Sequence, residues 1–269
     1  MNEMKGVLKK HGQINKFGRM LLHKHYASKP NARTQTHSNQ AFMSQDFHSL
    51  FLDSLLDHAY AVLSNAIEPT IARRLIVNYD KDIAYDPKAR SIRDDIGIGK
   101  RKTVLNPKFY MLPELMEGLY EITRPAAQMW ASRMKFPVSY PRKYSDFQKH
   151  CGTVGQTDPV VVFKYERGSY VHFHSDPAGE VPFPFQFLGL LSDHKSFSGG
   201  DFLLRRVVKD RSSIIRFKLR KGDIMIFPAG EWKRSKTGAV EIWQHAVDEL
   251  KSSKRFSISF LLNQAIGFT

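Results

Sequence analysis

From Ser44, a residue suited to a helix N-cap, apolar positions recur at three- and four-residue intervals: Phe47, Leu50, Phe51, Leu55, Ala59 and Leu63. That period predicts an amphipathic helix. A second helix is predicted from Pro113, a residue tolerated in a first turn, through Leu115, Leu119 and Ile122, with Pro125 kinking or dividing it before Ala126 to Met134. Between them, Asp80 to Asn106 is charged, glycine-containing and poor in apolar positions, and reads as an exposed connector or an active-site lid. Beyond Thr157 the texture changes. Short apolar runs separated by turn residues predict strands near 159–165, 169–175, 184–192, 201–208, 213–219, 223–227, 241–247 and 255–262. Eight strands at this spacing suggest a double-sheet jelly roll, so the fold class is mainly β with flanking helices.

The pattern divides the 269 residues into a basic leader over 1–40, a helical support region over 41–158 and a β catalytic core over 159–269, one catalytic domain in all. The longest apolar stretches, such as Phe185 to Leu191 and Ile258 to Leu262, fall short of the roughly 20 residues of a membrane-spanning helix. Cys151 is the single cysteine, which excludes an intramolecular disulfide and points to a reducing compartment, the cytoplasm in the simplest case. The net charge of +15 invites a nucleic-acid reading. Its distribution weakens that inference, because eight basic residues against Glu3 alone fall in the leader and the rest is dispersed. The leader has the composition of a mobile tail, an organelle-targeting peptide or a nucleic-acid arm, and lacks the continuous apolar core of a secretory signal.

Candidate chemistry centres on His174-Ser175-Asp176, His245 and Arg255-Phe256-Ser257. Side chains at i and i+2 leave the same face of a strand, so His174 and Asp176 can reach one ion while Ser175 points away. Two imidazoles and a carboxylate on one face of Fe(II) form the facial triad, leaving positions open for a co-substrate and oxygen. Each of the three, taken alone, is as readily a satisfied core histidine or strand-end aspartate. By the same period Ser257 shares the face of Arg255, whose planar fork suits a carboxylate.

The blocks Tyr165 to Asp176, Ser198-Gly199-Gly200-Asp201-Phe202, Lys221 to Pro228, Gln244-His245-Ala246-Val247 and Arg255-Phe256-Ser257 stand in the order found in prolyl-hydroxylase-like Fe(II)/2-oxoglutarate dioxygenases, and the chain resembles that superfamily over about residues 159–263. The resemblance implies a double-stranded β-helix. It also implies Fe(II), 2-oxoglutarate and O2 as cofactor and co-substrates, with iron on His174, Asp176 and His245. Arg255 and Ser257 would hold the distal carboxylate of 2-oxoglutarate, with Tyr165 either donating its phenol there or packing in the core. An iron-oxo species abstracting hydrogen would then hydroxylate, desaturate or cyclise the substrate. The run Asp176 to Gln186 with Leu191-Ser192 is further similar to a bacterial group of these oxygenases assigned to oxidative repair of damaged nucleic acid.

Lys164, His172, Gln186, Arg205 and Trp243 are candidate substrate contacts, although strand alternation can equally turn Lys164 and Arg205 to solvent. Gly168, Gly199, Gly200 and Gly222 are assigned to turns. The first substrate class is a small, anionic or amino-acid-derived metabolite of specialised metabolism, since no added recognition domain is evident. The alternative is a nucleic-acid or protein modifier such as an oxidative demethylase. A non-catalytic metal-binding jelly roll is disfavoured by the intact ligand set and arginine anchor. Oligomeric state is not legible.

Overall fold

The computed structural model describes residues 43–81, 84–87, 90–92, 96–176, 179–233 and 238–262; the basic leader lies outside them. Helix α1 (Met43–His58) ends where Ala59 turns left-handed at φ 68° while its amide bonds Leu55 O at 2.9 Å. The chain then enters strand β1 (Ala61–Leu63), so the apolar period predicted helix too far. These three buried residues instead pair with β11 (Ile224–Pro228), which satisfies their backbone groups in a sheet. Helix α2 (Pro69–Asn78) buries Ala72 and Leu75 and had no strong sequence signal.

Helix α3 (Leu112–Met134) runs unbroken through Pro125, where a kink or a division was expected, so the helix is not divided. A proline inside a helix costs about 3 kcal/mol. Here Leu115, Leu119 and Tyr120 before it and Ala127, Trp130 and Ala131 after it are buried on one face. At about 1.5–3 kcal/mol for each large apolar side chain, that packing outweighs the lost hydrogen bond. Helix α4 (Tyr144–Thr153) completes the helical layer and joins it through Phe147, whose ring stacks on Tyr120 at 5.0 Å.

Two sheets face each other. The larger has the order β1-β11-β7-β15-β5-β4-β2, with β2 (Arg90–Ser91), β4 (Lys100–Thr103), β5 (Val160–Glu166), β7 (Phe185–Leu190) and β15 (Lys254–Phe260). The smaller has the order β10-β9-β13-β6-β3, with β3 (Gly97–Ile98), β6 (Tyr170–His174), β9 (Phe202–Val208), β10 (Arg211–Phe217) and β13 (Val240–Val247); β12 (Glu231–Lys233) also pairs with β13. A two-stranded ribbon joins β8 (Ser198–Gly199) to β14 (Leu250–Ser252). All eight strands expected in the core are present within a few residues, and the pairing is that of a jelly roll.

The region read as an exposed connector contributes β2, β3 and β4 to both sheets and buries Tyr85, Ile92 and Val104. Its strands are short and carry Lys100, Arg101 and Lys102, so no apolar alternation betrays them. Region 41–158 is therefore more than a helical support. Among the described residues no helix is long and apolar enough to cross a membrane.

Candidate active site

His174 ends β6 and is the direct cross-strand partner of His245 on β13, with ring centroids 4.1 Å apart. Asp176 lies two residues beyond the end of β6, so it meets the pair from a loop and not from strand alternation. Its Oδ1 is 3.7 Å from His174 Nε2 and its Oδ2 is 3.8 Å from His245 Nε2. One ligand atom from each of the three lies within 4.8 Å of the others.

The surroundings prepare these donors. His174 Nδ1 lies 2.8 Å from the carbonyl of His172, which as acceptor puts the proton on Nδ1 and leaves the Nε2 lone pair facing the centre. Gln186 on β7 donates its amide to Asp176. The loop leading there is held by Gln156, which accepts the Val181 amide at 2.7 Å and donates to the Val181 carbonyl at 3.2 Å. Burial, with His174 close by, pulls the His245 imidazole down to about 4 against the opposing pull of Asp176, so the ring is a neutral donor at ordinary pH. His245 Nδ1 is buried with no hydrogen-bond partner among the described residues. Two imidazoles and a carboxylate that converge in this way fit a divalent metal.

Arg255 opens the second part of the site. It is 2% exposed, and among the described residues no carboxylate forms an ion pair with it. Its Nη1 donates to Ser257 Oγ at 3.2 Å, and its guanidinium lies 5.0 Å from the ring of Tyr165, its cross-strand partner. Burial lowers the pKa of Arg255, opposed by Tyr165 and Asp201. It also raises that of the Tyr165 phenol, opposed by Arg255 and by hydrogen bonds from Ser257 and Arg255, so the phenol stays a proton donor. A buried cation with no carboxylate is costly unless an anion completes it. Gly200, at φ 66°, permits this packing: a Cβ there would stand 3.0 Å from Arg255 Cδ.

The substrate candidates divide. Gln186 reaches Asp176, and Trp243 is buried with its Nε1 donating to Glu241 at 3.2 Å. His172 contributes its carbonyl, while its side chain is exposed beside Tyr170 at 4.7 Å. Lys164 faces away from Tyr165, pairing with Asp80 at 3.4 Å and lying 5.7 Å from the Tyr79 ring. Arg205 is likewise on the far face of its sheet, bonded to Gln244 at 2.8 Å and resting 4.4 Å from the Phe173 ring. The neighbour overlooked in the sequence is Arg206. His245 stands opposite Leu204, and period two places Arg206 on that face.

The profile of a family described as "Oxygenase, catalysing oxidative methylation of damaged DNA" matches residues 99–265. The chain belongs to this oxygenase family. It is a 2-oxoglutarate/Fe(II)-dependent dioxygenase that uses Fe(II), 2-oxoglutarate and O2. Uncharacterized protein Rv2227 of Mycobacterium tuberculosis is 23% identical to the oxygenase over 164 residues, covering 59% of this chain and 70% of that one. A prolyl-4-hydroxylase of Pseudomonas putida superposes with a TM-score of 0.50 at 13% identity, over 82% of this chain and 100% of that one. A prolyl hydroxylase of Trichoplax adhaerens, in complex with a hypoxia inducible factor peptide fragment, gives 0.52 at 11% identity over 83% and 93%. These likenesses show the double-stranded β-helix fold.

Proposed function

We propose that the oxygenase oxidises an alkyl group on a nucleobase of nucleic acid, with His174, Asp176 and His245 holding iron and Arg255, Ser257 and Tyr165 holding 2-oxoglutarate. The reading is supported by the family description, which concerns damaged DNA, the second of the two substrate classes suggested by the sequence. The structural observation that carries it is a cavity of about 630 Å³ that adjoins Asp176 and is walled by Trp130, Phe136, Val138 and Phe183. Trp130 and Phe136 stack at 5.1 Å and 29°, and Phe136 is 41% exposed, a flat apolar wall suited to a planar ring.

When bound, iron, 2-oxoglutarate and dioxygen supply the oxidation of a C–H bond, with succinate and carbon dioxide as co-products. The chain supplies the positions. His174 keeps its proton on Nδ1, and Gln186 restrains the Asp176 carboxylate. Arg255 grips a carboxylate in a pocket closed to water, where charge-assisted hydrogen bonds are strong. Asp176 keeps 40% of its side chain exposed, so the opening for substrate lies on its side of the centre.

The test is incubation with Fe(II), 2-oxoglutarate and air of single-stranded oligonucleotides carrying one N-methylated base, read as succinate release and loss of the methyl mass. Oxidation confined to small anionic metabolites would move the substrate to the other class while leaving the oxygenase chemistry intact.

A further inference from the structure

Arg206 stands opposite Trp243 across the β9–β13 pair, one layer from the Leu204–His245 pair and on the same face. Its Nη2 donates to Glu241 Oε1 at 2.6 Å, and the other oxygen of that carboxylate accepts Trp243 Nε1 at 3.2 Å. Glu241 is wholly buried, whereas the Arg206 side chain is 33% exposed, so the guanidinium is anchored by the carboxylate while part of the side chain stays open to solvent. Its Nε is enclosed without a partner among the described residues. Tyr60, half-buried, brings its ring to within 6.1 Å of Trp243 and adds an aromatic edge to the same layer. With Nη2 held by the carboxylate and Nε enclosed, Nη1 is the donor of the planar fork left for a further acceptor such as a phosphate oxygen.

We propose that Arg206 is a substrate-contacting residue whose guanidinium, oriented by Glu241, binds a phosphodiester group next to the target base. This rests on the reading of the chain as a nucleic-acid oxygenase.

The test uses the full chain with a single-stranded oligonucleotide bearing one N-methylated base. Arg206→Gln is expected to raise the KM for the oligonucleotide by about 10- to 100-fold and to reduce the slope of log K against log salt by about 0.7, the value of one phosphate contact on a single strand. The KM for 2-oxoglutarate is expected to stay unchanged. A lowered melting temperature with an unaltered salt slope would assign Arg206 a structural role and overturn the proposal. A second arm needs no variant: with wild-type enzyme, a neutral methylphosphonate replaces each phosphate flanking the base in turn. One position must raise KM, and that effect must vanish in Arg206→Gln; if no position matters, the proposal fails. Wild-type enzyme that neither binds nor oxidises the oligonucleotide removes the nucleic-acid reading as well, whereas binding with an unaltered slope in Arg206→Gln removes the Arg206 assignment alone.

Discussion

His174 and His245 are direct partners across two antiparallel strands, with rings 4.1 Å apart. One sheet pairing thus brings together imidazoles that are distant in the chain. Asp176 is different, because it stands beyond the end of β6 and is held there by the amide of Gln186. Two donors therefore come from the rigid sheet and the third from a restrained loop.

Replacing His174 or His245 by alanine leaves two donors and should abolish metal-dependent turnover. The expected loss exceeds the roughly 10- to 100-fold that changes in supporting residues cost at metal sites. Anaerobic titration with Fe(II) and 2-oxoglutarate, read by the visible charge-transfer band, with succinate release measured in air, checks it. Turnover at the wild-type level in either variant would remove that histidine from the ligand set.

Gln186→Ala should preserve the fold and weaken iron binding by about 10- to 100-fold, since it removes a donor that orients Asp176 without removing a ligand. The readout is the Fe(II) titration midpoint, compared with the 2-oxoglutarate KM at saturating iron. An unchanged midpoint would make the Gln186–Asp176 bond incidental.

The strands of the core were legible because each is a short apolar run bounded by turn residues, and the structure brings His174, Asp176 and His245 together as that reading expected. Alternation left the face open at single-residue resolution: Arg205 and Arg206 are adjacent, and only the register of β9 against His245 distinguishes the face of Arg206 from that of Arg205. Lys164 was ambiguous for the same reason, as the neighbour of Tyr165. Strands β2 and β4 carry charged residues and β3 is only Gly97–Ile98, so their backbone pairing leaves no trace in a hydrophobic pattern. Pro125 signalled a break that packing on both sides of it overrode.

Burial, reinforced by Asp158, pushes the Cys151 thiol up to about 12. At pH 8 about one thiol in ten thousand is then ionised, so iodoacetamide should leave the native protein unmodified and label it on unfolding. An unfolded thiol loses its proton near pH 8.5 to 9 while the folded one keeps it, so this contribution is present below that range and is lost as pH rises toward about 12. Cys151→Ala should flatten the alkaline fall in melting temperature, and native-state labelling at pH 8 would contradict the burial of the thiol.

Arg255 combines burial, a Ser257 hydroxyl and the absence of an ion-pairing carboxylate among the described residues. Arg255→Lys keeps the charge and loses the fork. With charge-assisted hydrogen bonds worth about 1.5–3 kcal/mol, the KM for 2-oxoglutarate should rise by about 10- to 100-fold. Arg255→Met, similar in length and uncharged, separates affinity from stability. Without 2-oxoglutarate this variant should melt at or above the wild-type temperature, because a buried charge lacking its counter-ion is removed. On adding 2-oxoglutarate to protein already saturated with iron, wild-type protein should gain stability by mass action, about 2.7 kcal/mol at a hundred times Kd, and Arg255→Met should gain much less at the same concentration. Thermal melts with and without the co-substrate measure both effects. A variant that melts lower than wild type in its absence, yet shifts normally in its presence, would make Arg255 a core-packing residue and place the carboxylate elsewhere.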